Sequence, residues 1–185
     1  MLVGNEADFH AVASGNPTPT VRWQVSTDNG STWNYVEGAT DTWYSIFNTA
    51  LALNGNQYRA EFNNAGGTVT TDAATLTVFN LPAAPNAPSA SSTTSQGKMT
   101  VTLTWTDNSD GGSAITGHLV TVYKYRAATI HKPAFYDYVS SIETQSASTG
   151  ATFTIKGGTY VFTVEAGNLG GYGNESGYSN SVSRH

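Results

Sequence analysis

The chain has 185 residues, a net charge of −5 and no cysteine, and only 11% of its residues are charged, against a typical value of about 25%. Without cysteine there are no disulfides or thiolate metal sites. Without a basic run the phosphate-neutralising footprint of a nucleic-acid binder is missing, and no apolar stretch approaches the ~20 residues of a membrane helix.

Four Trp, ten Tyr and seven Phe are spread along the chain, too many aromatics for a disordered polymer. Gly, Ser, Thr and Asn replace the missing charge, a mixture that suits short strands and tight turns. The acid excess lies before residue 81, where Arg22 and Arg59 stand against seven carboxylates. Met1-Leu2-Val3 runs straight into Gly4-Asn5-Glu6, which leaves no room for a signal-peptide core. An export signal, if the parent protein uses one, is expected outside this chain.

Apolar residues alternate with period two, and turn residues interrupt about every 8–12 positions, the all-β pattern. Phe9, Ala11 and Ala13 alternate with His10 and Val12; Val21, Trp23 and Val25 alternate with Arg22 and Gln24. The predicted strands are 6–13, 20–26, 32–37, 42–47, 57–63 and 68–78. Leu81-Pro82-Ala83-Ala84-Pro85-Asn86-Ala87-Pro88 then interrupts; three prolines so close cannot sit in a central strand and favour a stiff, extended linker. Beyond it, strands are predicted near 98–106, 115–125, 134–141, 151–156, 159–167 and 177–184. The expected organisation is a domain over 1–80, a linker over 81–88 and a second domain over 89–185, two β-sandwiches in tandem.

In the first half, Ala11-Val12-Ala13-Ser14-Gly15-Asn16-Pro17 followed by Trp23 resembles the strand B, turn and strand C-tryptophan signature of I-set immunoglobulin domains. Tyr58 stands two residues before the family's second cysteine position, where a tyrosine-corner residue belongs. The two bridging positions are here Ala11 and Ala60. An inter-sheet disulfide contributes about 2–4 kcal/mol, so Trp23, Tyr44, Ile46, Leu76 and Phe62 or its neighbours must fill that space by packing. The resemblance implies a cysteine-free domain of bacterial or phage type, with strand A missing or cut to Met1-Leu2-Val3.

Residues 85–184 resemble a fibronectin type III domain. Val101-Thr102-Leu103-Thr104-Trp105 matches its strand B. Asp110-Gly111-Gly112-Ser113-Ala114-Ile115-Thr116-Gly117 matches the loop into strand C, and Tyr160-Val161-Phe162-Thr163-Val164-Glu165-Ala166-Gly167-Asn168 matches strand F. His118 departs from the pattern, standing where the family usually has Tyr. Trp23 and Tyr58 are expected in the first core, Trp105 and Tyr160 in the second.

Ser26-Thr27-Asp28-Asn29-Gly30-Ser31-Thr32-Trp33 fits the Asp-box pattern of sialidase-like propellers. A propeller repeats a blade of about 40–50 residues several times, and the box occurs once, so a structural hairpin is expected. Asp107, Ser109 and Asp110 do not meet the order of a calcium loop. Of His10, His118, His131 and His185, no two are spaced as metal ligands, and none adjoins a strained Ser turn; His10 should face solvent and His118 the core. No catalytic residue, metal site or cofactor is predicted.

Aromatics beyond the expected cores remain. Trp43 and Phe47 alternate with Tyr44 and Ile46, so one of these pairs should face solvent. The region 126–138 carries Phe135, Tyr136 and Tyr138, and Trp33 closes the Asp-box turn. Trp33, Trp43, Phe135, Tyr136 and Tyr138 are the candidate ligand-binding residues, since exposed rings stack on sugars or anchor protein contacts. The more frequent role for such rings is covering the edges of small cores. The functional expectation is a non-catalytic structural, adhesive or spacer module of a larger extracellular or cell-surface protein. The alternatives are a carbohydrate-binding accessory module of a secreted glycan-active enzyme and a phage virion or tail domain. Expected partners are other domains of the same parent protein, then a glycan or a surface protein.

Overall fold

A computed structural model describes residues 1–183; His185 and the last residue of the strand predicted at 177–184 lie outside the described residues. The chain divides into two compact units, Met1–Phe79 and Asn80 onward, and each is a β-sandwich.

In the first unit the strands are β1 (Ala7–His10), β2 (Thr20–Ser26), β3 (Asn34–Tyr35), β4 (Trp43–Ile46), β5 (Gln57–Asn64), β6 (Gly67–Thr70) and β7 (Ala74–Thr75). One sheet pairs β1 with β4; the other runs β3-β2-β5-β6, with β7 also on β5. Alternation decides what each strand buries. Val21 and Trp23 on β2, and Tyr58, Ala60 and Phe62 on β5, point inward. Arg22, Arg59 and Glu61 occupy the alternate positions. The strand predicted over 68–78 is broken into β6 and β7.

Ala11 and Ala60 belong to one apolar cluster with Trp23 and Phe62, and aromatic rings occupy the space a disulfide would span. Phe9 lies 4.7 Å from Tyr58 and 6.2 Å from both Trp23 and Tyr44, and Tyr44 lies 6.0 Å from Trp23 and 5.7 Å from Tyr58. At about 0.5–1.5 kcal/mol per aromatic pair beyond area burial, this cluster is of the same order as the absent cross-link.

The second unit contains β8 (Ser89–Ser95), β9 (Lys98–Thr104), β10 (Gly117–Arg126), β11 (Phe135–Thr144), β12 (Gly150–Ile155), β13 (Thr159–Asn168), β14 (Gly171–Tyr172) and β15 (Val182–Ser183). One sheet is β12-β9-β8; the other is β11-β10-β13-β14, with β15 on β13. Met99, Val101, Leu103, Val120, Val122, Phe162 and Val164 fill the space between them, none exposed, with Trp105 and Tyr160 at its margins. Strand β8 escapes the sequence reading because Ser and Thr at nearly every position give no apolar alternation. It is placed by a two-residue turn in which Gln96 and Gly97 both take positive φ (46° and 82°), the geometry that matches strand twist.

Residues 81–88, expected as a linker, pack within the second unit. Pro82, Pro85 and Pro88 are buried within the second unit. The backbone N–H groups of Asn80, Ala83 and Asn86 donate to the carbonyls of Gly111, Ser109 and Thr106 at 2.8–3.0 Å. The Asn168 amide donates to the carbonyls of Asn80 and Asp110, at 2.8 Å each. Gly173 approaches so closely that a Cβ there would stand 2.0 Å from the Pro82 carbonyl oxygen. Prolines recurring every third residue bring one side of an extended chain to the surface beneath it, a pattern that composition alone reads as a stiff spacer.

Candidate functional site

On the outer face of the β11-β10-β13 sheet, five tyrosines form one connected surface. The register brings Tyr123 opposite Tyr138 and Tyr125 opposite Tyr136, and a bulge between Val122 and Tyr123 sets that pairing. Tyr178 arrives from the segment after β14. Ring centroids are 6.5 Å apart for Tyr138–Tyr123, 5.3 Å for Tyr123–Tyr178, 4.7 Å for Tyr178–Tyr136 and 5.7 Å for Tyr136–Tyr125. Tyr125, Tyr136, Tyr138 and Tyr178 are 37–64% exposed, whereas Val161, opposite Tyr123 on β13, is 2% exposed.

Tyr178 is held by its neighbours. Ser176 and Ser179 are buried, and their hydroxyls accept the backbone N–H groups of Val164 and Phe162 at 2.9 and 3.0 Å. Their own N–H groups donate to the carbonyls of the same two residues. This segment thus lies against β13 through side-chain hydroxyls, and the alternate residue Tyr178 projects outward.

Glu175 is the polar fixture of this surface. Its Oε1 accepts hydrogen bonds from the Tyr123 hydroxyl (2.8 Å) and the Thr163 hydroxyl. Burial, and then the bond to Glu175, push the Tyr123 phenol up to about 12. Burial and the nearby Glu175 charge raise the Glu165 carboxyl above its ordinary range.

The sequence-derived candidates divide between several places. Tyr136 and Tyr138 join the tyrosine surface. Phe135 is 43% exposed on the opposite side of β11, across from Arg126, whose Nε donates to Asp137 at 2.7 Å. Trp33 is committed to its own turn: its Nε1 donates to the Gly30 carbonyl at 3.1 Å, and the Arg59 guanidinium lies 4.0 Å from the ring centre. Trp43 is 58% exposed and stacks on His10 at 4.1 Å. With Phe47 it borders a hollow of about 310 Å³ in the first unit, also lined by Glu37, Thr40 and Asp41. Trp43 and Phe47 are therefore the outward pair, Tyr44 and Ile46 the inward one. Tyr123, Tyr125 and Tyr178 were not among the candidates. Period-two spacing of Tyr123 and Tyr125 was available in the sequence, but their register with Tyr136 and Tyr138 was not.

The Asp-box segment is a closed turn. The Asp28 carboxylate accepts from the Thr32 hydroxyl (2.6 Å), the Thr32 N–H (2.8 Å) and the Ser26 hydroxyl (2.7 Å). These bonds lower its pKa to about 2. Its oxygens are occupied by the loop itself. Likewise, Asp107 turns its carboxylate to His118 at 3.0 Å, and the Asp110 carboxylate accepts the Gly112 N–H at 2.8 Å.

No family model matches the chain. A 78-residue stretch, 42% of this chain, is 46% identical to part of Endoglucanase C of Cellulomonas fimi and spans 7% of that protein. Among solved structures, domains A168–A170 of titin match 98% of this chain and 60% of that one, with a TM-score of 0.69 and 23% identity. That likeness shows the fold: tandem β-sandwiches of the immunoglobulin and fibronectin type III kind.

Proposed function

We propose that this chain is a non-catalytic structural or adhesive module of a larger extracellular or cell-surface protein. In this reading a cysteine-free immunoglobulin-like domain of bacterial or phage type precedes a fibronectin type III-like one. The observation that carries the proposal is that two sandwich units account for the chain, each committing its inward side chains to an apolar core. The mechanism is mechanical: aromatic packing holds the first unit and a two-sheet aliphatic core the second.

Single-molecule stretching tests it. Two separate unfolding events are expected, releasing roughly 280 and 380 Å of contour at ~3.6 Å per residue for units divided after Phe79. A single event of the summed length, or turnover of chromogenic glycosides or esters by the purified chain, overturns the reading.

The stretch shared with an endoglucanase favours a more specific second reading, an accessory module of a glycan-active enzyme. Its expected partners are the other domains of that enzyme and its polysaccharide.

A further inference from the structure

We propose that the tyrosine surface of the second unit is a stacking platform for a neutral polysaccharide chain. The inference rests on the accessory-module reading and names the surface that would serve it.

Three observations support it. First, four linked rings are each more than a third exposed on one sheet face, and ring-centre steps of 4.7–6.5 Å join them into a track rather than scattered spots. Rings with an apolar face and a hydroxyl edge suit pyranose sugars, which present C–H groups on one face and hydroxyls around the rim.

Second, the track includes a fixed hydrogen-bond acceptor. Both protein bonds to Glu175 go to Oε1, so among the described residues Oε2 has no partner and is open to a sugar hydroxyl.

Third, the charge selects among polymers. Glu143 and Glu165 flank Leu119 from either side on this same face, and Glu175 is bonded to Thr163, two residues before Glu165 on β13, so anionic polymers meet like charge and a neutral one does not. The positions of Tyr136 and Tyr178 also cost little flexibility on binding, because β11 and the buried Ser176 and Ser179 already hold them.

Affinity gel electrophoresis of the whole chain in hydroxyethylcellulose, xyloglucan and polygalacturonate tests this. Retardation by at least one neutral polymer and none by polygalacturonate is expected. Tyr136→Ala/Tyr178→Ala should weaken retardation about tenfold, the loss of two ring contacts, while Trp43→Ala should leave it unchanged. Because Tyr178 adjoins covered residues, Tyr125→Ala/Tyr138→Ala, at the ends of the track, provides a second variant, with thermal melts confirming that each is folded. Retardation that survives in both folded double variants overturns this surface but leaves the accessory reading standing. No retardation by either neutral polymer overturns both. A dimer in sedimentation velocity that Tyr136→Ala/Tyr178→Ala dissolves assigns the face to self-association and overturns the proposal.

Discussion

His118, with no exposed surface, directs Nε2 to the Asp107 carboxylate at 3.0 and 3.1 Å and Nδ1 to the Ser146 carbonyl at 3.2 Å. Both ring nitrogens face acceptors, and the ring meets the edge of the Trp105 indole at a centroid distance of 5.1 Å. One side chain thereby ties β10 to the loop after β9 and to the loop after β11, at a place where the resembled family usually carries Tyr. The Trp105 Nε1 alongside it is buried with no partner among the described residues.

Removing the carboxylate should therefore cost more than an exposed aspartate would. Asp107→Ala leaves a buried N–H unsatisfied and is expected to destabilise the second unit by about 1–3 kcal/mol. Asp107→Asn, which keeps one acceptor oxygen, should lose less. Urea melts of the three proteins check the order; equal stability of Asp107→Ala and the parent chain would show that His118 does not depend on this contact.

The Asp28 turn should be acid-sensitive in a defined direction. Its folded pKa of about 2 lies below the ordinary 3.8, chiefly through the Thr32 hydroxyl and N–H. The carboxylate's support of the turn is thus complete above pH 3.8 and is lost as pH falls through about 2. Carbon-detected NMR of the Asp28 carboxyl should show its midpoint near 2, and Thr32→Val should move that midpoint upward. A midpoint unchanged by Thr32→Val contradicts the assignment.

Gly173→Ala tests whether residues 80–88 are part of the second unit. The added methyl would sit 2.0 Å from the Pro82 carbonyl oxygen, a backbone atom that cannot swing aside, so the segment must lift. A loss of about 1–3 kcal/mol is expected, as for other overpacked sites, together with faster amide exchange at Asn80, Ala83 and Asn86. Were this stretch a free tether, the substitution would be silent.

The sequence by itself determined that the chain is all-β, and its resemblance to immunoglobulin and fibronectin type III domains implied two sandwiches. The all-β character follows from period-two alternation and from turn spacing, both local. Trp23, Tyr58, Trp105 and Tyr160 are buried. The tertiary structure alone decided the rest. Strand β8 carries no apolar signal and is recruited by pairing with β9. Pro82, Pro85 and Pro88 look like a spacer until a surface exists to cover them. The tyrosine track depends on a bulge that sets β11 against β10, and on two buried serines that deliver Tyr178 from about forty residues beyond Tyr136. Register and long-range approach are properties of paired strands, and no single stretch of this chain encodes them.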